Sequence, residues 1–120
     1  MADRITLKIF DIVGSPVWVS TDDGQKVYDK ITAAFKANRS VNLSFANKES
    51  LITAFLNAAI GQLYSGEYDE AFLKEHLAFI DISDNDRAML ERAIDNAKRY
   101  FANRQSYDQA WGDVVDEDEE

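Results

Sequence analysis

The stretch Val41 to Tyr64, VNLSFANKESLITAFLNAAIGQLY, constrains the fold more than any other. It opens on a short apolar alternation at Val41, Leu43 and Phe45, after the turn-like Ala37-Asn38-Arg39-Ser40. It breaks at Asn47-Lys48-Glu49-Ser50 and then runs apolar at helical spacing through Ile52, Phe55, Ala59 and Leu63. A period of two followed by a period near 3.6 predicts strand, tight loop and buried helix. A unit so apolar on both sides of its loop belongs in the middle of a sheet, with its helix packed against that sheet.

The rest of the chain supplies partners for this unit. Ile5, Leu7 and Ile9 alternate with Thr6 and Lys8, which predicts a half-buried first strand. Val13-Gly14-Ser15-Pro16 punctuates it, and Val17-Trp18-Val19 reads as a second strand joined to the first as a hairpin or meander. Gly14 and Pro16 are assigned to that turn rather than to a ligand. Ser20-Thr21-Asp22-Asp23 is a helix start, with Ser20 as cap and Asp23 in the capping-box position. Val27, Ile31, Ala34 and Phe35 continue as one apolar face. Gly61 falls inside the central helix, where close backbone packing beside Ala58 and Ala59 is expected, and Gly66 ends that helix. Tyr68 to His76 reads as a short helix or structured loop, and Leu77 to Ile82 as a fourth strand. Ser83-Asp84-Asn85-Asp86 repeats the capping pattern before a helical stripe from Met89 to Phe101, with the helix ending near Arg104. The order implies one α/β domain: about four strands in a mostly parallel or mixed sheet, with helices mainly on one face.

Composition narrows the function. The 120 residues are 46 % hydrophobic, enough for one core and too few for two ordinary domains. There is no cysteine and a single histidine, His76, which excludes a disulfide framework and a multi-histidine metal site within one chain. No metal and no cofactor is expected. The net charge of −9 is uneven: Asp113 and Asp116 to Glu120 hold six of the 22 acids, and the remainder carries 16 acids against 13 bases. The predicted division is a domain over residues 1–105 and an acidic C-terminal tail over 106–120, partly disordered and solubilising. Tyr107 and Trp111 are expected to fold back on the domain, an exposed aromatic contact being the alternative. No Lys/Arg stripe with interleaved aromatics accompanies the acid, so nucleic acid is not an expected partner. The start of the chain has no basic-then-apolar leader, and no apolar run reaches membrane-spanning length. A cytoplasmic protein, monomeric or weakly homodimeric and not bound to membrane, is expected.

A catalytic constellation is not apparent. His76 has no serine, cysteine or carboxylate pair at a suggestive spacing, and is read as a loop or surface histidine. Asp11 and Asp81 are weighed as a carboxylate pair and assigned instead to turn or solvent roles. No phosphate-loop, dinucleotide-binding or zinc-protease motif occurs. The domain is therefore expected not to be an enzyme. Asn47-Lys48-Glu49-Ser50 is the stronger candidate, because it leaves the C-terminal end of the central strand and opens a helix, where open α/β sheets place their ligands. Asn47 or Ser50 serving only as helix cap is the structural alternative.

Taken together, VWVSTDDGQKVYDKI, the Val41–Tyr64 stretch and LAFIDISDNDRAMLERAIDNAKRYF resemble the STAS-like domain family of unassigned function found in bacteria. The similarity spans Ile5 to Phe101. It is most specific from the strand Val41–Phe45 into Ala54-Phe55-Leu56-Asn57 and Ile60-Gly61, with Asp23-Gly24 a weaker match.

The resemblance implies a regulatory binding domain in signalling, distantly similar to anti-sigma-factor antagonists. Such domains engage an ATPase-like serine kinase through the loop and helix after a central strand, and are switched by phosphorylation there. By position, Asn47, Lys48, Glu49 and Ser50 would face the partner, a histidine-kinase-like ATPase, and Ser50 or Thr53 would be the phosphorylation site. The chain departs from the pattern at Ser44, where the family strand often has an aspartate, and lacks an Asp-Ser-Ser-Gly type phosphoacceptor motif. A small-molecule or nucleotide sensor using the same loop is the alternative function.

Overall fold

The computed structural model describes the backbone of residues 3–111 and the side chains of residues 3–102. The chain runs β1 (Asp3–Lys8), α1 (Ile9–Val13), β2 (Val17–Trp18), α2 (Thr21–Lys36), β3 (Arg39–Ser44) and β4 (Ser50–Leu51). It continues through α3 (Thr53–Ala59), a 3₁₀ turn at Gly61–Tyr64, α4 (Glu70–His76), β5 (Leu77–Ile80) and α5 (Asp84–Trp111). The strands form two parallel ladders, a three-stranded sheet ordered β1-β3-β5 and the pair β2-β4.

The central position expected for β3 follows from its alternation. Val41, Leu43 and Phe45 are buried on one face, in register with Ile5 and Leu7 of β1 and with Leu77 and Phe79 of β5. Onto that face pack Val27, Ile31 and Phe35 of α2, Phe55, Leu56 and Ala59 of α3, and Leu90 and Ala93 of α5. The other face carries Arg4, Thr6 and Lys8, then Ser40, Asn42 and Ser44. An apolar row and a polar row on one strand oblige the helices to gather on one side, as they do.

Trp18 ties the small ladder to this core. It is fully buried, edge-on to Phe45 at 6.0 Å and stacked on Phe55 at 6.1 Å, and its indole N–H donates to the Ser15 carbonyl at 2.7 Å. A buried aromatic of this size removes roughly 150–250 Å² from water. At ~25 cal/mol per Å² that is about 4–6 kcal/mol of transfer free energy, an upper estimate.

Several local expectations are corrected. The apolar run at Ile9 to Val13 closes a helical turn instead of prolonging the first strand, because Gly14 at φ +82° ends it, donating its N–H to the Phe10 carbonyl at 2.7 Å. With α1 interposed, β2 makes no hairpin with β1 and pairs with β4 in parallel, Val17 opposite Ser50 and Trp18 opposite Leu51. The central helix is shorter than its apolar stripe. It begins at Thr53 after an extended Ile52 with no side-chain cap, so neither Asn47 nor Ser50 caps it, and it gives way to the 3₁₀ turn that Gly61 opens.

The close backbone approach expected at Gly61 occurs at Gly24 instead. A Cβ there would stand 2.6 Å from the Phe55 carbonyl oxygen and 2.7 Å from the Ala58 Cβ, whereas one on Gly61 would meet nothing nearer than 3.4 Å. The α2 cap is as expected, with the Asp23 N–H donating to Ser20 Oγ at 3.0 Å. The Asp23 carboxylate, however, pairs with Lys26 at 3.4 Å. Gly66 has a positive φ of 113° but does not end the central helix, which stops at Ala59 with Ile60 as its cap; it follows Ser65, the cap of the 3₁₀ turn. Helix α5 runs on to Trp111, past the end expected near Arg104. Residues 112–120 and the side chains of Tyr107 and Trp111 lie outside the described residues.

Candidate functional site

The site is built where β3 and β5 end. The backbone leaves β3 through Phe45, whose N–H donates to the Ile80 carbonyl at 3.0 Å, and turns at Asn47, which holds φ +66°. A non-glycine residue rarely takes that conformation, and asparagine is among the few that tolerate it. The loop then meets β2: the N–H groups of Glu49 and Ser50 both donate to the Pro16 carbonyl, at 2.8 and 3.2 Å. Proline can serve here because only its carbonyl is needed.

Two polar contacts fix the other side. Ser44, only 1 % exposed, donates its hydroxyl to Asp81 Oδ2 at 2.6 Å and accepts the Ala46 N–H at 3.2 Å. Asp81 also has a positive φ, +58°, just past the end of β5. Ser44 stands where an aspartate was expected often to be, and it reaches a carboxylate all the same. Lys48 Nζ lies 2.6 Å from Asp86 Oδ2, with 9 % of the aspartate side chain exposed. Asp86 is held in the first turn of α5, its N–H donating to Ser83 Oγ at 3.2 Å. Burial of the pair costs desolvation, which the short contact offsets, so Lys48 is a tether to α5 and not a free cation.

The four residues expected to face a partner therefore divide. Asn47, Glu49 and Ser50 are exposed, whereas Lys48 points inward to Asp86. Ser50 is a strand residue of β4 and Thr53 is the exposed first residue of α3. Asp11 and Asp81 do not form a unit: Asp81 is engaged by Ser44 and Asp11 is an exposed residue of α1. His76 is not in a loop. It ends α4, its Nδ1 2.7 Å from Ser40 Oγ and its ring 4.3 Å from that of Phe72. Among the described residues no group of three or more histidine or acidic side chains could hold a metal ion.

Sequence reasoning missed the Pro16 carbonyl and Asp86 as the anchors of the loop. Asp86 was legible only as part of a helix-start pattern, and nothing in the spacing pairs it with a lysine thirty-eight positions earlier. Also missed were Val17, Val19 and Ile52, which are 40 %, 39 % and 43 % exposed and flank the loop on or just past the β2-β4 ladder. Their signal was present as alternation about buried Trp18, but which of the two faces would be covered is a tertiary fact.

A parallel α/β domain with helices over one sheet face and a fixed loop at the strand ends is the class to which fold and site belong. The family model described as a STAS-like domain of unknown function (DUF4325) matches residues 23–87, just over half of the chain, and the chain belongs to that family. No curated protein and no solved structure matches significantly. The matched segment lies inside the Ile5–Phe101 span of the expected resemblance. It takes in both polar tethers, Ser44 to Asp81 and Lys48 to Asp86, and leaves out β1, α1 and β2. No helix among the described residues is long and apolar enough to cross a membrane.

Proposed function

We propose that the domain is a non-enzymatic regulatory module that binds an ATPase- or kinase-like protein through Asn47 to Ser50. Phosphorylation of Ser50 or Thr53 weakens that binding. The observation that carries the reading is that the loop is exposed and fixed at once. Asn47, Glu49 and Ser50 face solvent, while Pro16, Asp81 and Asp86 hold the backbone around them. A surface with its conformation already set loses little entropy on docking.

Ser50 is the better acceptor of the two hydroxyls. It stands in register with exposed Val17, so a phosphoryl group transferred from ATP to its Oγ would set about two negative charges on the apolar side of the ladder. The test is affinity capture on the wild-type chain, on a variant with residues 47–50 replaced, and on S50E, read by mass spectrometry for ATPase-domain proteins. The expected result is a partner that the loop replacement loses and that S50E weakens by about tenfold, the equivalent of ~1.4 kcal/mol. A partner held equally by all three chains, or none captured by the wild type, would overturn the reading.

A further inference from the structure

Of the four large apolar side chains most exposed among the described residues, three lie on or just past the β2-β4 ladder: Val17 in β2, Val19 directly after β2 and Ile52 directly after β4, the fourth being Tyr100 on α5. Their grouping follows from register. Trp18 and Leu51 pair and point into the core, so the residues on either side of each point outward. Residues with no burial role at these positions would ordinarily be polar.

The backbone beside them is open as well. In a parallel ladder alternate residues direct their N–H and C=O to opposite sides. Pro16 and Trp18 use their carbonyls on β4, accepting from Glu49 and Ser50 and from Ile52 at 3.2 Å. Val17 and Val19 therefore turn their peptide groups to the outer side of β2. There the Val17 N–H is satisfied locally by Ser15 Oγ at 3.0 Å, and the Val17 carbonyl and the Val19 N–H have no partner among the described residues. An acceptor and a donor two residues apart on one strand edge are what an added strand engages.

The charge at the rim is one-sided. Asp22 opens α2 just after Val19, Glu49 precedes Ser50, and neither is in an ion pair among the described residues. The lysines nearest in sequence, Lys48 beside Glu49 and Lys26 one turn after Asp22, pair with Asp86 and Asp23.

We propose that β2 is a docking edge, at which the partner adds an extended segment with alternating apolar side chains over Val17, Val19 and Ile52 and with lysine or arginine flanks facing Asp22 and Glu49. The proposal rests on the protein-binding reading above and names the chemistry of what binds. A second copy is disfavoured because a two-fold contact through this edge would run the strands antiparallel and bring the acidic Asp22 end of one copy toward the acidic Glu49 end of the other. A helical occupant would leave the Val17 carbonyl and Val19 N–H unpaired, since its own backbone groups are already bonded. β2 itself precedes the family-matched segment, whereas β4 and Ile52 lie within it.

The experiment titrates the ¹⁵N-labelled chain with a synthetic peptide of alternating valine and threonine flanked by lysines, and with the same peptide flanked by glutamates. The expected result is a downfield shift of the Val19 amide proton with perturbations confined to β2, β4 and Ile52. The lysine-flanked peptide should bind at least about tenfold more tightly, a preference that shrinks as salt is raised. The double variant V17K/V19K, altered at two exposed positions, keeps its unfolding midpoint and loses the peptide.

No shift on β2 at millimolar peptide, or equal affinity for the two peptides, would overturn the proposal. So would a concentration-dependent dimer that V17K/V19K abolishes, since a second copy would then occupy the edge. Affinity capture separates the two readings. A partner lost with the 47–50 replacement but retained by V17K/V19K removes this proposal alone, whereas an edge that binds peptide beside a loop of no consequence removes the loop reading.

Discussion

The α2-α3 crossing and the rim at the strand ends both hold the segment from β3 to α3, and they do it with different materials. At the crossing, Gly24 lets two helices approach until the backbone of one nearly touches the other, and Phe55, Leu56 and Ala59 bury completely beside it. At the rim the same segment is held by a serine hydroxyl, a lysine and a proline carbonyl, next to valines that remain exposed. The crossing has no room to adjust, so its sequence is dictated by volume. The rim is held by separable contacts of modest strength, and it can present side chains to a partner without loosening the core.

The hardest way to break that contrast is to put a methyl group into the crossing. On helix propensity alone G24A should stabilise α2 by about 1 kcal/mol. The added Cβ instead meets rigid atoms, a carbonyl oxygen and another Cβ, so the helices must separate, and overpacking of this kind costs typically ~1–3 kcal/mol. We expect G24A near the upper end, read as a lower urea midpoint at unchanged slope. G61A, whose Cβ has ordinary contact distances, should be close to neutral. Equal effects from the two substitutions would show that the crossing is not specially tight.

The rim should respond less, and in proportion to what each contact leaves unpaired. K48M removes the partner of an aspartate that is largely buried, while leaving the methylene packing intact. Hydrogen bonds to charged groups are worth ~1.5–3 kcal/mol, reduced here because a quarter of the lysine side chain is exposed, so a loss of about 1–2 kcal/mol is expected. The double variant K48M/D86L should recover part of it, because no buried charge is then stranded. If the double variant is no better than K48M, the pair is not the contact at stake. S44A deletes a hydroxyl that donates to one group and accepts from another, and should cost about 1 kcal/mol. Its sharper readout is faster amide exchange at Ala46, whose N–H loses its acceptor.

This division also explains what was legible in the chain. Alternation at Val41, Leu43 and Phe45 and helical spacing from Val27 to Phe35 record volume and burial, and they placed β3, α2 and the helix-covered face. Ser20 and Ser83 marked two helix starts because capping is local. The rim was legible only as a loop. Lys48 to Asp86 and Ser44 to Asp81 join residues more than thirty-five positions apart, and nothing local distinguishes either aspartate from a solvent-facing one. Gly24 and Gly61 were exchanged in importance for a related reason. Both lie on helical stripes, and which of them faces a neighbouring backbone depends on a crossing angle that no periodicity encodes.

The weakest expected effect tests the contrast at its far end, where a polar contact lies on the surface. Lys98 on α5 and Glu70 on α4 meet at 2.8 Å with both side chains well exposed. The hydrogen bond from Lys98, reinforced by its charge, holds the Glu70 carboxyl below its ordinary value, and the same bond raises Lys98. A lowered carboxyl contributes stability that is complete above its unfolded value and is lost as pH falls through the folded one. A raised lysine contributes stability that is complete below its unfolded value and is lost as pH rises through the folded one. The alkaline side is crowded, because burial also raises Tyr28, Tyr64 and Tyr68. On the acid side the group that the substitution touches is Glu70. K98M should thus be slightly less stable than wild type at neutral pH, and the difference should close as Glu70 takes up its proton. Raising salt at neutral pH should close it too, since exposed pairs are screened. Urea unfolding of both chains across the carboxylate range, at low and high salt, measures this directly. A difference that survives both acid and salt would mean that K98M acts through something other than the loss of this charge pair.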